Sequence, residues 1–260
     1  MIQQAMTAAF QPHRIETLPS RVDALPLPTI VEEHLPFTVR LVRDEEDLNK
    51  AVHIRHAAYA RHMPTVAETL KTPEKIDVED GVVVLLAESK LDGSPLGSVR
   101  IQTNRYRPLS LEKSVELPAW LKGQSLAQVS RFGVINGTIG RLVKMILVKG
   151  CLQYSEHEGI DWNVIAARSP LDRTYKQLTY QDIFPDAGLI PLAHMDNVPH
   201  RIMGFEVETC KERLTQLNHP LLAFFCHTYH PDLDVGSTSA GALTQKLRKM
   251  NNDSITSFIN

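Results

Sequence analysis

Several absences narrow the chemistry of this sequence before any motif is read. Cysteine is scarce: Cys151, Cys210 and Cys226 are odd in number, far apart and without a C-x-x-C pair. That excludes a dense disulfide framework and points to reduced thiols in the cytoplasm. An excess of one charge is missing too, with 28 Lys+Arg against 30 Asp+Glu, so no bulk basic footprint for nucleic acid is expected. No apolar run is long enough to span a bilayer. The opening stretch "MIQQAMTAAFQPHRIETLPS" has no charged leader joined to a continuous apolar segment, so no signal peptide is expected. Internal repeats are lacking. So are the phosphate loops G-x-x-x-x-G-K-[ST] and G-x-G-x-x-G. "HIRH" (His53, His56) and "CHTYH" (Cys226, His227, His230) lack the spacing of a zinc finger or of H-E-x-x-H, so no metal site is expected.

What is present reads as strands and helices in alternation. Residues 1–36 carry Pro12, Pro19, Pro26, Pro28 and Pro36 with little periodicity, as in an extended N-terminal arm. Residues 37–235 form the folded domain, and 236–260 a polar tail with one short helix at 242–250. "FTVRLVR" (Phe37–Arg43) is a first strand, and Asp44 caps a helix with Leu48, Val52, Arg55 or His56, and Tyr59 on one face. "GVVVLLAES" and "LGSVRIQTN" make a hairpin around Asp92-Gly93. "VSRFGVINGTIGRLVKMILVKG" then runs from a buried strand through Asn136-Gly137 into a helix, with Thr138 as its cap. Ile139, Leu142, Val143, Ile146, Leu147 and Tyr154 give that helix an inward face. "DWNVIAARS" is another strand, followed by a helix over Leu171–Ile183. "GLIPLAHM" and "RIMGFEVE" are short strands, and helix flanks Pro220 on both sides. The order predicts an α/β single domain, a mixed sheet flanked by helices.

The strand-to-helix turn exposes backbone donors suited to an anion such as phosphate, or is a plain turn with glycine for backbone freedom. The word "SRF" (Ser130, Arg131, Phe132) followed by "GVIN" resembles the signature of the acyl-homoserine-lactone synthases, GNAT-like acyltransferases that use acyl carrier protein. Arg55 and Tyr59 in "IRHAAY", Asp77 and Asp80 in "DVEDG", and Arg100 closing the next strand match that pattern in order. Two positions depart: Gln128 stands where the family has Glu, and no aromatic follows the first helix in "ARHMPTVAETL". The arm and the extension past about residue 208 are similar to the related N-acyl amino acid synthases.

The resemblance implies a GNAT-like sheet whose central parallel strands splay, with the Val134–Ile135 backbone nearest the splay to polarise a thioester carbonyl. It implies a fatty-acyl transfer from acyl carrier protein to the amine of an amino acid. No cofactor is tightly bound; the phosphopantetheine arrives on the carrier. Asn136, Gly137, Thr138, Gly140 and Arg141 receive its phosphate, with Lys144 nearby. Asp77 or Asp80, directly or through water, is the expected base. Ser130, Arg131 and Val134 complete the catalytic set, and Arg55, Tyr59, Arg100, Phe132 and Arg168 bind substrate. Two bland readings stand beside these: Arg131 as a buried partner of Asp77 or Asp80, and Tyr59 as ordinary core. Met145, Ile146 and "HPLLAFFCHTYH" are wall candidates for an acyl cleft. Arg105, Arg107, Arg141, Lys144 and Lys149 are rim candidates for an acidic carrier, Lys149 reading as a solvated face. Lactone synthesis from S-adenosylmethionine and a non-catalytic acyl- or carrier-binding module are the alternatives.

Overall fold

A computed structural model describes residues 30–236. The expectations for the greater part of the arm and for the tail, its short helix included, lie outside them. In chain order the elements begin with β1 (Val31–Glu32), β2 (Phe37–Leu41), α1 (Glu45–Ala60), α2 (Pro64–Glu68), β3 (Val82–Ser89) and β4 (Pro95–Thr103). Then come β5 (Leu126–Val134), α3 (Gly137–His157), β6 (Trp162–Ala167) and α4 (Leu171–Gln177). Shorter pieces follow: β7 (Gln181–Asp182), β8 (Ile190–Pro191), β9 (Pro199–Glu206), α5 (Cys210–Gln216), β10 (Thr228–Tyr229) and β11 (Leu233–Asp234).

The main sheet runs β11-β2-β3-β4-β5-β6-β9-β7, with β8 on β9 and the pair β1–β10 separate. Neighbours are antiparallel except β11–β2 and β5–β6, so two parallel strands meet at its middle. Helices cover both faces. On one, Val143, Ile146, Leu147 and Cys151 of α3 bury against Val39, Leu85, Val99 and Ile101. On the other, Leu48, Ala51 and Val52 of α1 meet Val84 and Leu86. β3 is therefore apolar on both sides, which explains its unbroken run "VVVLLA".

Local chemistry sets the boundaries. Asp44 caps α1, its Oδ1 accepting from Asp47 N at 2.9 Å, and Gly93 takes φ +70° in the β3–β4 hairpin. The expected helix over Leu171–Ile183 stops at Gln177, because Thr179 adopts φ +68° and turns the chain onto β9. Beyond Pro220 the chain forms a π-helical turn, Ala223–His227, instead of α-helix. Thr138 is not the cap of α3. The helix starts two residues earlier, with Asn136 at the cap position, and the Thr138 hydroxyl accepts from Arg141 Nη2 at 3.0 Å.

Gly140 is a packing residue. A Cβ there would sit 1.9 Å from the Ile135 carbonyl oxygen, backbone that cannot swing aside. Gly140→Ala should lose stability at the upper end of the roughly 1–3 kcal/mol seen for overpacking, read as a lower urea midpoint; an unchanged midpoint would refute the close approach.

Candidate active site

β5 and β6 keep parallel register only from Leu126↔Trp162 to Val129↔Ile165. Past Val129, β5 stays with β4 while β6 continues with β9, so the two central strands part. The cause lies in β5. Ser130 pairs with Arg100 and Gly133 with Ser98, which leaves Arg131 and Phe132 opposite Val99 alone. That is a β-bulge, and such an extra residue bends its strand. Arg131 sits in it at φ +53°, a left-handed conformation rare for a side chain of this size. The gap opens into a cleft of about 140 Å³, lined among others by Tyr59, Ser130, Phe132, Ile165, Arg168 and His200.

Beneath the bulge lies a buried ionic cluster. Glu74 grips Arg131 with both oxygens, Oε2 to Nε and Oε1 to Nη2, each at 2.7 Å. Asp77 takes Arg55 at 2.8 and 3.1 Å and Arg100 at 3.2 Å, and Glu74 also reaches Arg100 at 2.9 Å. Arg131 Nη1 lies 2.8 Å from Met195 Sδ. Burial opposes the Glu74 charge, but the Arg131 hydrogen bonds and the charges of Arg100, Arg131 and Arg55 outweigh it and lower its carboxyl to about 2. For Arg131 burial again opposes the charge, and Glu74 and Tyr59 hold it protonated above the ordinary arginine range.

These contacts correct two expectations. The partner of Arg131 is Glu74, which sequence reading passed over, and not Asp77 or Asp80. Asp77 is no base for the cleft either: its side chain is fully buried and both oxygens face guanidiniums. Arg55 and Arg100 share that burial, at 0% and 3% exposed, so they brace the cluster and do not line the cleft. Asp80 is half-buried just before β3 and is not among the cleft-lining residues. Ser130 lies 3.4 Å from Arg100 Nε and lines the cleft with Arg131, Phe132, Tyr59 and Arg168.

The strand backbone sharpens another expectation. Ile135 N–H donates to Leu96 O at 2.9 Å, so it faces β4 and not the gap. Ladder alternation turns Val134 the other way, and its carbonyl there accepts from Arg61 Nη2 at 2.6 Å. Gln128 is buried, its Oε1 held by Leu111 N–H at 3.0 Å, and so it ties a loop to the sheet. Asn136, Gly137, Thr138 and Arg141 are exposed at the start of α3.

The basic rim is smaller than expected. Arg105 pairs with Glu158 at 3.3 Å and Arg107 with Glu79. Lys149 is not a solvated residue at all: it is 1% exposed, and its Nζ donates to the Phe224 and Thr228 carbonyls. Burial lowers its ammonium to about 8. Arg141 and Lys144 remain beside the α3 start. Of the proposed acyl walls, Ile146 is buried in the main core, and Phe225 instead lines a small apolar pocket with Val148, Leu152, Tyr180, Phe205 and Leu214.

A mixed sheet with its middle parallel strands splayed at a bulge and helices on both faces is a GNAT-like fold. Among solved structures the chain aligns with FeeM, an N-acyl amino acid synthase from uncultured soil microbes. That alignment covers 70% of this chain and 96% of FeeM at 18% identity, with a TM-score of 0.56. BjaI, a CoA-dependent acyl-homoserine lactone synthase, aligns over 82% of this chain and 99% of its own at 12% identity and a TM-score of 0.49. At 18% identity the likeness to FeeM is one of fold. No protein-family model matches the sequence, and no curated protein matches it. Among the described residues no helix is long and apolar enough to cross a membrane.

Proposed function

We propose that this chain is a cytoplasmic N-acyltransferase that moves a fatty-acyl group from the thioester of acyl carrier protein to the amine of an amino acid. The observation that carries this reading is the gap between β5 and β6, with the β5 edge that β6 no longer pairs on one side and Arg168 on the other. A thioester laid in the gap places its carbonyl along the Val134 edge, where a backbone N–H can stabilise the oxyanion. Arg168 has no carboxylate partner among the described residues, and a guanidinium in that state suits the carboxylate of an amino acid. The ionic cluster behind it holds three guanidiniums against two carboxylates, a surplus that also favours an anionic acceptor. The Asn136–Arg141 turn offers the first N–H groups of a 21-residue helix, with Arg141 beside them, to the phosphopantetheine phosphate. No cofactor needs to stay bound.

Lactone synthesis is less well supported, because Gln128 occupies the position of the family's Glu and spends its oxygen on Leu111. The test offers acylated carrier protein and, separately, acyl-coenzyme A, each with the twenty common amino acids. The expected result is free-thiol release with a product of amide mass from the carrier. Thiol release from coenzyme A alone would replace the donor, and no release from either would overturn the reading.

A further inference from the structure

The wall of the cleft opposite β5 holds an imidazole for which the residues above supply no role. His200 stands near the start of β9, buried at 2% exposed, and lines the cleft together with Arg168. Its Nδ1 lies 2.6 Å from the Val198 carbonyl oxygen. A carbonyl can only accept, so Nδ1 carries the hydrogen and Nε2 of the neutral ring is left with a bare lone pair. Neither carboxylate of the ionic cluster can do comparable work, since both are spent on guanidiniums.

Resting on the acyl-transfer reading, we propose that His200 is the catalytic base, its Nε2 taking the proton from the attacking amine. The α-amine of an amino acid is one carbon from its carboxylate. An acceptor held by Arg168 therefore presents its nitrogen beside Arg168, where His200 lies. The acceptor's ammonium first gives one proton to solvent. The C–N bond then forms as Nε2 takes a second proton from that nitrogen; the C–S bond breaks, and the sulfur leaves as thiol with the proton from Nε2. Burial lowers the His200 imidazolium below its ordinary value; the Val198 hydrogen bond opposes this, and the Arg168 charge adds to it. The base is thus unprotonated at neutral pH, and in acid its charging steepens the fall already set by loss of free amine. The other ionisable groups on the cleft are Arg131, Tyr59, His62 and Tyr175.

The experiment measures thiol release from octanoyl-acyl carrier protein and from octanoyl-coenzyme A with the twenty amino acids between pH 5 and 9. Wild type, His200→Gln, His200→Ala and His62→Gln are compared. His200→Gln should lose on the order of 10²-fold in kcat with little change in KM, and its acidic limb should flatten to the fall set by free amine alone. Added imidazole should restore turnover to His200→Ala, which a merely structural role would not allow. If His200→Gln keeps both turnover and acidic limb, or the limb moves in His62→Gln instead, His200 is not the base although acyl transfer stands. An inactive wild type would overturn the acyl-transfer reading itself, and the base with it.

Discussion

Arg131→Ala is expected to abolish thiol release and to lower stability by about 3–5 kcal/mol, the range for breaking one partner out of a buried ion pair. Glu74 would be left between Arg55 and Arg100 without its two-oxygen grip on Arg131, and the cleft would lose the guanidinium beneath its floor. Urea unfolding measures the first effect and thiol release the second. Two companions separate the causes. Arg131→Gly removes the same guanidinium but relieves the left-handed backbone, so it should be more stable than Arg131→Ala by about 1–2 kcal/mol. Adding Glu74→Gln to Arg131→Met should cost less than the two changes summed, because the orphaned carboxylate is gone. An Arg131→Ala protein that folds with full activity would remove Arg131 from the site.

Asp77→Asn is the second large effect, and it distinguishes brace from base. The Asp77 side chain is fully buried against Arg55 and Arg100, so halving its charge compensation should again cost about 3–5 kcal/mol. Turnover per folded molecule, measured in the cold, should fall less than tenfold, against the roughly 10²–10⁴ expected of a proton-transfer group. A variant with wild-type melting and no turnover would return Asp77 to the chemistry.

The sequence showed the sheet's core more clearly than its rim. β3 stood out as an unbroken apolar run and α3 as an apolar face at helical spacing, because those are the positions each buries. It overran α4, since Thr179 breaks that helix through a backbone angle that no residue type announces. The arginines of the site were legible through the "SRF" word, yet their partners were not. Glu74 lies 57 positions from Arg131, at the cap of a short 3-10 turn that says nothing of a distant partner, and only the fold brings them together. His200 carried no signal for the same reason: its meaning depends on Val198 fixing the tautomer and on Arg168 arriving from another strand. Lys149 misled, because a lone lysine on a helix is usually wet, and its carbonyl partners lie some 75 residues onward. A search for acidic residues just before β3, extended three positions past Asp77 toward the N-terminus, would have found Glu74.

The opening in the sheet comes down to parity. Between the paired positions 98/133 and 100/130, β5 holds two residues against one on β4. Deleting either would let the ladder zip evenly to its end, with β5 drawn straight toward β6 while Gly133 and Val134 keep their partners Ser98 and Gly97. Length change in this strand is therefore constrained by count as well as by composition, and loss of Phe132 alone would seal the crevice with every polar side chain still present.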